Sequence, residues 1–150
     1  MLFRSLPKDM KALISFADKI GINPTLLNAV EKTNQKQIQN IVSLMKKTLG
    51  ILASKRITVL GTAFKPNTDD VRDSIAIELI KKLLKKKSRI TIYDPKAMKN
   101  TRNIFGKKII YAESIADALN KSQCAILMTH WKQFERFNNN SMKHMSKKLV

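Results

Sequence analysis

The segment KPNTDDVRD, residues 65–73, combines two cations with several short polar side chains. Lys65 and Arg72 can each reach a phosphate group, and charge-assisted hydrogen bonds to phosphate are among the strong ones. The residues at positions 67–70 (Asn, Thr, Asp, Asp) can hydrogen bond within the segment itself. The pattern therefore admits two interpretations, a phosphate-binding loop or a solvated loop held by local hydrogen bonds.

This loop follows a short apolar run and precedes a helical pattern. ITVLGTAF (57–64) is too short for a helix and predicts a buried strand, and SIAIELIKKLLKKK (74–87) has its apolar residues at helical spacing. Beyond them, RITIYDP (89–95), KKIIYA (107–112) and CAILMTHW (124–131) predict strands, a connection containing Gly106 separates the first two, and SIADALNKS (114–122) predicts a short helix. The order strand, helix, strand, strand, helix, strand indicates a parallel sheet with helices on its faces.

Parallel sheets of this kind bind ligands beyond the carboxyl ends of their strands. In this sequence that edge would carry Gly61 to Arg72, Asp94, and Thr129 to Trp131. Gly61 belongs to no G-x-G-x-x-G, the fingerprint of a dinucleotide-binding turn. We therefore expect a polar binding edge without the main NAD cradle.

The N-terminal third of the chain predicts two helices. The first begins at Pro7 and stops at Gly21; the second has Asn23 as its N-cap and an apolar stripe that continues to Leu49. At 1.5 Å per residue the second helix is roughly 40 Å long, which exceeds what a small domain requires. It could form a helical hairpin that covers its own core, or a dimerisation or domain-connecting helix. We expect a helical segment over 1–54 and a sheet domain over 55–150.

The net charge of +18 raises the possibility of nucleic-acid binding. Lysines occur in every segment, however, which indicates a compositional bias of the chain and argues against a nucleic-acid site. Cys124 is the single cysteine, so no internal disulfide can form, and no Cys/His group has metal-ligand spacing. The sequence has neither an apolar run of membrane-spanning length nor a secretory signal, and we expect a cytoplasmic protein.

Several segments resemble one known family. GTAFKPNTDDVRDS, YDPKA, ADAL and MTHWKQF are similar, in this order, to the C-terminal nucleotide-sugar-binding domain of the UDP-glucose/GDP-mannose dehydrogenase family. LPKDMKAL resembles the segment just after that family's catalytic cysteine, and INPTLLNAVEKTNQKQ resembles its long central helix. The resemblance implies a Rossmann-like parallel sheet, and the T-D-D-x-R loop with the Y-D-P strand end favours the UDP-glucose branch.

The resemblance also implies a chemistry. The family oxidises the 6-hydroxyl of a nucleotide sugar to a carboxylate with two NAD molecules, through aldehyde and thioester stages at a cysteine nucleophile. Alignment of LPKD puts Ser5 at the nucleophile position, and a serine hydroxyl is far less acidic than a thiol. Asp9 matches the catalytic aspartate and Lys8 the lysine beside it. Phe64 and Lys65 match substrate-binding positions, and Arg72 matches a cation on the NAD side; no metal is implied.

Measured against this family, the chain is expected to be a C-terminal fragment with a truncated UDP-sugar-binding domain and no N-terminal NAD-binding domain. The expected function is that of part of an NAD-dependent enzyme that oxidises UDP-glucose to UDP-glucuronate for polysaccharide biosynthesis. The expected partners are a UDP-sugar and a second copy of the chain, bound through the long helix. A separate chain could carry the NAD domain. A non-catalytic nucleotide-sugar-binding module, or a basic nucleic-acid-binding protein, are the alternatives, and no membrane partner is expected.

Overall fold

The computed structural model describes residues 7–135, 143, 145 and 146, and within this part the chain divides into two compact units. The first unit, residues 1–48, contains helix α1 (Pro7–Lys19) and most of helix α2 (Thr25–Leu49). Both helices lie where the apolar spacing predicts them. Helix α2 has 25 residues and is about 37 Å long at the rise of an α-helix.

The second unit, residues 49–150, is a parallel α/β fold. Its strands are β1 (Arg56–Leu60), β2 (Arg89–Tyr93), β3 (Ile110–Tyr111) and β4 (Cys124–Leu127). Its helices are α3 (Ile75–Lys85), α4 (Met98–Phe105) and α5 (Ile115–Leu119), with single 3-10 turns at Gly106–Lys108 and Lys132–Phe134. The predicted class, a Rossmann-like parallel sheet with helices, is confirmed.

The four strands form one sheet in the order β3-β2-β1-β4, and every neighbouring pair is parallel. Strand β1 is central: Ile57 pairs with Ile90 on one side and with Cys124 on the other. From Ile57 to Leu60 every residue of β1 is buried, as expected of a strand covered on both faces. Helix α3 packs against β2, and α5 packs against β1 and β2.

Two sequence expectations were wrong in detail. The connection between β2 and β3 contains a helix, α4, whereas the sequence analysis identified only a connection containing Gly106 and no helix. Its sequence MKNTRNIF has few apolar residues, and its buried residues are Thr101 and Phe105. The third strand is limited to Ile110 and Tyr111, because the two lysines before Ile109 belong to a 3-10 turn.

Candidate functional site

The candidate site lies at the edge of the sheet where the parallel strands end, which we call the carboxyl edge. From β1 the chain moves to one side to form β2 and β3, and β4 then pairs on the other side of β1. Such a reversal of strand order is a topological switch point, where open α/β sheets form their ligand crevice. In this unit the switch point lies between the segments that follow Leu60 and Leu127, and we refer to this place as the crevice.

Gly61 allows the segments after β1 and β4 to approach closely. It has a φ of +86°, and a Cβ built on it would lie 2.6 Å from Cβ and 2.8 Å from the backbone nitrogen of Thr129. The Thr129 hydroxyl donates to the carbonyl of Ala63, which joins the same two segments a second time. A residue with a side chain at position 61 would therefore force them apart.

The loop between β1 and α3, residues 61–74, is held by its own side chains. Arg72 donates to both carboxylate oxygens of Asp70, with its Nε 2.9 and 3.1 Å from Oδ1 and Oδ2 and an Nη2–Oδ2 distance of 2.7 Å. The backbone N–H of Asp70 in turn donates to the Thr68 hydroxyl. Asn67 and Asp73 have positive φ angles, a conformation that these two residue types tolerate better than most. The local hydrogen bonding expected from the loop sequence is present.

A side chain from α4 also holds this loop. The amide nitrogen of Asn100 donates to the backbone carbonyl of Asp69 at 2.8 Å and to its carboxylate at 3.2 Å. Because α4 was not predicted, this contact could not be found from the sequence. It makes the position of the loop depend on the position of α4.

Lys65 is the other cation of this loop. Its Nζ lies 5.7 Å from the centroid of the Phe64 ring, a cation–π contact, and both residues are exposed. Among the described residues Lys65 forms no ion pair. A charged amine beside an exposed aromatic ring can contact a phosphate oxygen and a flat ring at the same time.

Arg72 is differently placed from Lys65. Its hydrogen bonds to Asp70 and the charge of that carboxylate raise the pKa of the Arg72 guanidinium, although the side chain is largely exposed. The pairing uses Nε–H and one N–H of Nη2, so the other N–H groups of this exposed guanidinium can still donate to a second anion. In this structure Arg72 holds the loop together.

Asp94, at the end of β2, is a buried carboxylate with many donors. Its Oδ2 accepts hydrogen bonds from the backbone N–H groups of Thr62 and Ala63 and from the indole of Trp131, and its Oδ1 accepts from Lys96 and Ala97. The sequence placed Asp94 at this edge without a role. Its donors come from three separate segments of the chain, and only the fold brings them together.

The residues matched to the catalytic positions of the resembling family lie near the N-terminus. Ser5 is outside the described residues, and for Lys8 and Asp9 the structure describes only the backbone, in the first turn of α1. The single cysteine is remote from the candidate site, because Cys124 begins β4 at the opposite edge of the sheet. Burial raises the pKa of its thiol, which keeps it protonated and a poor nucleophile at neutral pH.

In the described part of the chain, no three His, Cys, Asp or Glu side chains are grouped so as to hold a metal ion. None of the helices in this part is both long enough and apolar enough to cross a membrane.

Comparison with known proteins identifies the family. Residues 58–150 match the model of the UDP-glucose/GDP-mannose dehydrogenase family, UDP binding domain. The chain belongs to this family. Its second unit is thus the family's UDP-binding domain, with the crevice between β1 and β4 and the loop carrying Lys65 inside the matched region.

Individual relatives agree with this assignment. The UDP-glucose 6-dehydrogenase AglM of Haloferax volcanii is 42% identical over 128 residues, which cover 85% of this chain and 29% of that protein. A UDP-glucose 6-dehydrogenase of Rickettsia felis is 36% identical over 134 residues, covering 88% of this chain and 30% of the relative. The chain therefore spans about 30% of the length of these relatives.

A solved structure extends the similarity to the fold. The UDP-glucose dehydrogenase of Pyrobaculum islandicum has a TM-score of 0.86 and 30% sequence identity, over 95% of this chain and 36% of that one. A GDP-mannose dehydrogenase structure from Pseudomonas aeruginosa, at 24% identity and a TM-score of 0.74, shares the fold. The likeness spans nearly the whole chain.

The described residues do not fit NAD, the cofactor implied by the resemblance. A dinucleotide fold seats its pyrophosphate on a glycine-rich turn that leads directly into a helix. Here Gly61 is packed against Thr129, and α3 begins only at Ile75. Arg72, the cation expected on the NAD side, is exposed and uses part of its donors on Asp70.

Proposed function

We propose that residues 55–150 bind the UDP part of a nucleotide sugar at the carboxyl edge, as one domain of an enzyme that oxidises UDP-glucose to UDP-glucuronate. The observation that carries the proposal is Lys65, an exposed cation without an ion pair among the described residues, beside the exposed ring of Phe64. The match of residues 58–150 to a UDP-binding domain supports it.

In this proposal Lys65 contacts the diphosphate and Phe64 lies against a ring of the ligand. A hydrogen bond to a charged group contributes about 1.5–3 kcal/mol. Because Lys65 is exposed, solvent screening favours the lower end of this range, and removal of its amine should weaken binding roughly ten-fold, about 1.4 kcal/mol. A ligand contacted by this domain alone should bind with a dissociation constant of about 1 mM, near −4 kcal/mol.

The test is a calorimetric titration of the chain with UDP-glucose, UDP and single-stranded DNA at physiological salt, comparing Lys65→Ala with the parent. Lys85→Ala is the matched control, because it removes the same charge from another exposed lysine. Lys85 is the last residue of α3 and lies at the opposite edge of the sheet. We expect the parent to bind UDP-glucose and UDP, and only the Lys65→Ala variant to bind these two ligands more weakly. Equal affinities for all three proteins, or tight DNA binding without a response to UDP-glucose, would reject the proposal.

The catalytic part of the proposal concerns the N-terminal residues. Asp9 would assist proton transfer and activate water, with Lys8 beside it, and Ser5 stands where the family resemblance puts a cysteine. A neutral serine without an activating base is a poor nucleophile, and these 150 residues contain no G-x-G-x-x-G. We therefore expect the isolated chain to produce no NADH from UDP-glucose and NAD. Turnover, in this proposal, requires an NAD-binding domain outside these 150 residues, and NADH formation by these residues alone would contradict it.

The same proposal includes assembly and location. We propose that residues 1–54 are a dimerisation segment and that two copies associate through α2. Leu26 and Leu44 support this, because they are 77% and 65% exposed and 18 residues, or five helical turns, apart on one face of α2. The protein is proposed to act in the cytoplasm.

A further inference from the structure

The buried carboxylate of Asp94 accepts more hydrogen bonds than any neutral side chain of its size could. Asp94 is only 1% exposed to solvent. Three N–H donors lie 2.7–3.2 Å from Oδ2 and two lie 2.7–2.9 Å from Oδ1. An ionised carboxylate only accepts, at about four lone-pair sites, whereas the amide of asparagine or glutamine has one accepting oxygen and two donor hydrogens.

The two oxygens serve different parts of the site. Oδ2 holds the backbone after β1, at Thr62 and Ala63, together with Trp131 after β4, which are the two segments that border the crevice. Oδ1 holds the turn at Lys96 and Ala97 that leads into α4. One carboxylate therefore fixes both walls of the crevice relative to the start of α4.

A second buried link runs between α4 and the crevice. The Thr101 hydroxyl donates to the carbonyl of Ala97 at 2.8 Å and lies 2.8 Å from the Thr62 hydroxyl. Since the single hydroxyl hydrogen of Thr101 is used on Ala97, Thr62 is the donor between the two threonines. One turn of helix is thereby attached to the segment that follows β1.

From α4 the connection reaches the loop that carries Lys65. Asn100, next to Thr101, donates to the carbonyl and the carboxylate of Asp69. We propose that Asp94 is a positioning residue for UDP-sugar binding: through α4 and Asn100 it fixes the loop that presents Lys65 at the crevice. This inference rests on the proposed function for its ligand, but its structural links are independent of that function.

The first test replaces Asp94 by asparagine and records amide spectra of the labelled chain. The single accepting oxygen of the asparagine should take the place of Oδ2, where three donors meet, so that its amide group faces the N–H groups of Lys96 and Ala97. We expect those two amides to exchange with solvent about ten-fold faster, the factor that corresponds to one lost hydrogen bond. The indole N–H of Trp131, the only tryptophan of the chain, should keep its acceptor and its resonance.

The second test measures affinity for UDP-glucose in a thermodynamic cycle. Asn100→Ala removes the link between α4 and the loop without touching Asp94. We expect Asp94→Asn and Asn100→Ala each to weaken binding about three-fold or more, and the double variant to bind no more weakly than the weaker single variant, because both act along one path. Ser88→Ala is the control: its buried hydroxyl donates to the carbonyl of Leu52 at the opposite edge of the sheet, so its loss should leave UDP-glucose affinity unchanged.

The outcomes separate the two proposals. If the parent chain binds no UDP-glucose, the proposed function fails, while faster exchange at Lys96, Ala97 and the amides of residues 65–72 in Asp94→Asn would still support the positioning role. If the parent binds but Asp94→Asn and Asn100→Ala bind equally well, or if their losses add, the positioning role is wrong and the proposed function stands. Should Asp94→Asn fail to fold, Asn100→Ala alone decides: unchanged affinity overturns the path through α4.

Discussion

Replacement of Gly61 by alanine should destabilise the sheet unit strongly, for two reasons that the structure separates. The backbone at Gly61 has a φ of +86°, and left-handed backbone costs a residue with a side chain about 1–2 kcal/mol. The added Cβ would also lie 2.6 Å from Cβ and 2.8 Å from the backbone nitrogen of Thr129. Backbone cannot rotate away as a flexible side chain could, and overpacking of this kind costs about 1–3 kcal/mol.

Together the two costs amount to about 2–5 kcal/mol, the sum of the strain and overpacking ranges. For a chain of this size each kcal/mol corresponds to about 2–4 °C in melting temperature, so we expect a decrease of roughly 4–20 °C. Circular dichroism at 222 nm during thermal unfolding measures it.

Gly50→Ala is the matched control. Gly50 also has a positive φ, +72°, but a Cβ built there meets nothing within 4 Å. It should therefore show only the conformational cost, about 1–2 kcal/mol. If Gly61→Ala unfolds within 2 °C of Gly50→Ala, the close approach of Gly61 to Thr129 does not constrain the fold and our account of the crevice is wrong.

Two other predictions concern α2 and the cysteine. The double variant Leu26→Asp with Leu44→Asp should be a monomer in light scattering, because unpaired charge at an apolar contact is costly. The control Ser43→Asp, whose side chain is exposed on another face of α2, should remain a dimer. A monomeric parent at micromolar concentration would refute the dimer. Burial raises the pKa of Cys124 above 9.0, so the unfolded chain ionises first and the free energy of unfolding should fall as pH rises past 9.0. The free energy of unfolding, measured with urea at pH 8 and pH 10, should decrease more in the parent than in Cys124→Ala. An equal decrease in the two proteins would contradict this prediction.

Much of the fold could be predicted because its elements have strong local signals. The β-branched runs that became β1 and β2 are short, apolar and followed by turn residues, and their parallel pairing follows from the helices between them. The long apolar stripe of α2 likewise indicated where this helix begins and ends. Helix α4 could not be predicted, since it has few apolar residues and begins where Asp94 and a buried Thr101 hold it.

The candidate site could be located but not described from the sequence. Parallel strands end at one edge, so the loop with Lys65 and Arg72 had to lie there. The sequence left open whether Arg72 pairs within the loop, and only the structure shows its contacts with Asp70. The hydrogen bond between Asp94 and Trp131 joins residues 37 positions apart and has no local signal.

The apolar stripe of α2 gives a similar lesson. Ile38 belongs to the stripe that suggested a dimer contact, but it is buried within the chain itself. Aspartate at Ile38 would therefore destabilise the fold and would not report on dimerisation. The exposed Leu26 and Leu44, which were not distinguished in the sequence, are the better probes. Periodicity identifies an apolar face, but only the packing decides which of its residues remain uncovered.

The most direct test of the central claim is to map which backbone amides respond to UDP-glucose in a spectrum of the uniformly ¹⁵N-labelled chain. Nucleotide binding at the carboxyl edge predicts saturable shifts in residues 61–72 and 128–131, with a midpoint of about 1 mM. Residues 52–56 and 85–89, at the opposite edge of the sheet, should not respond. Shifts confined to this lysine-rich opposite edge, or no saturable shifts at all, would contradict the account.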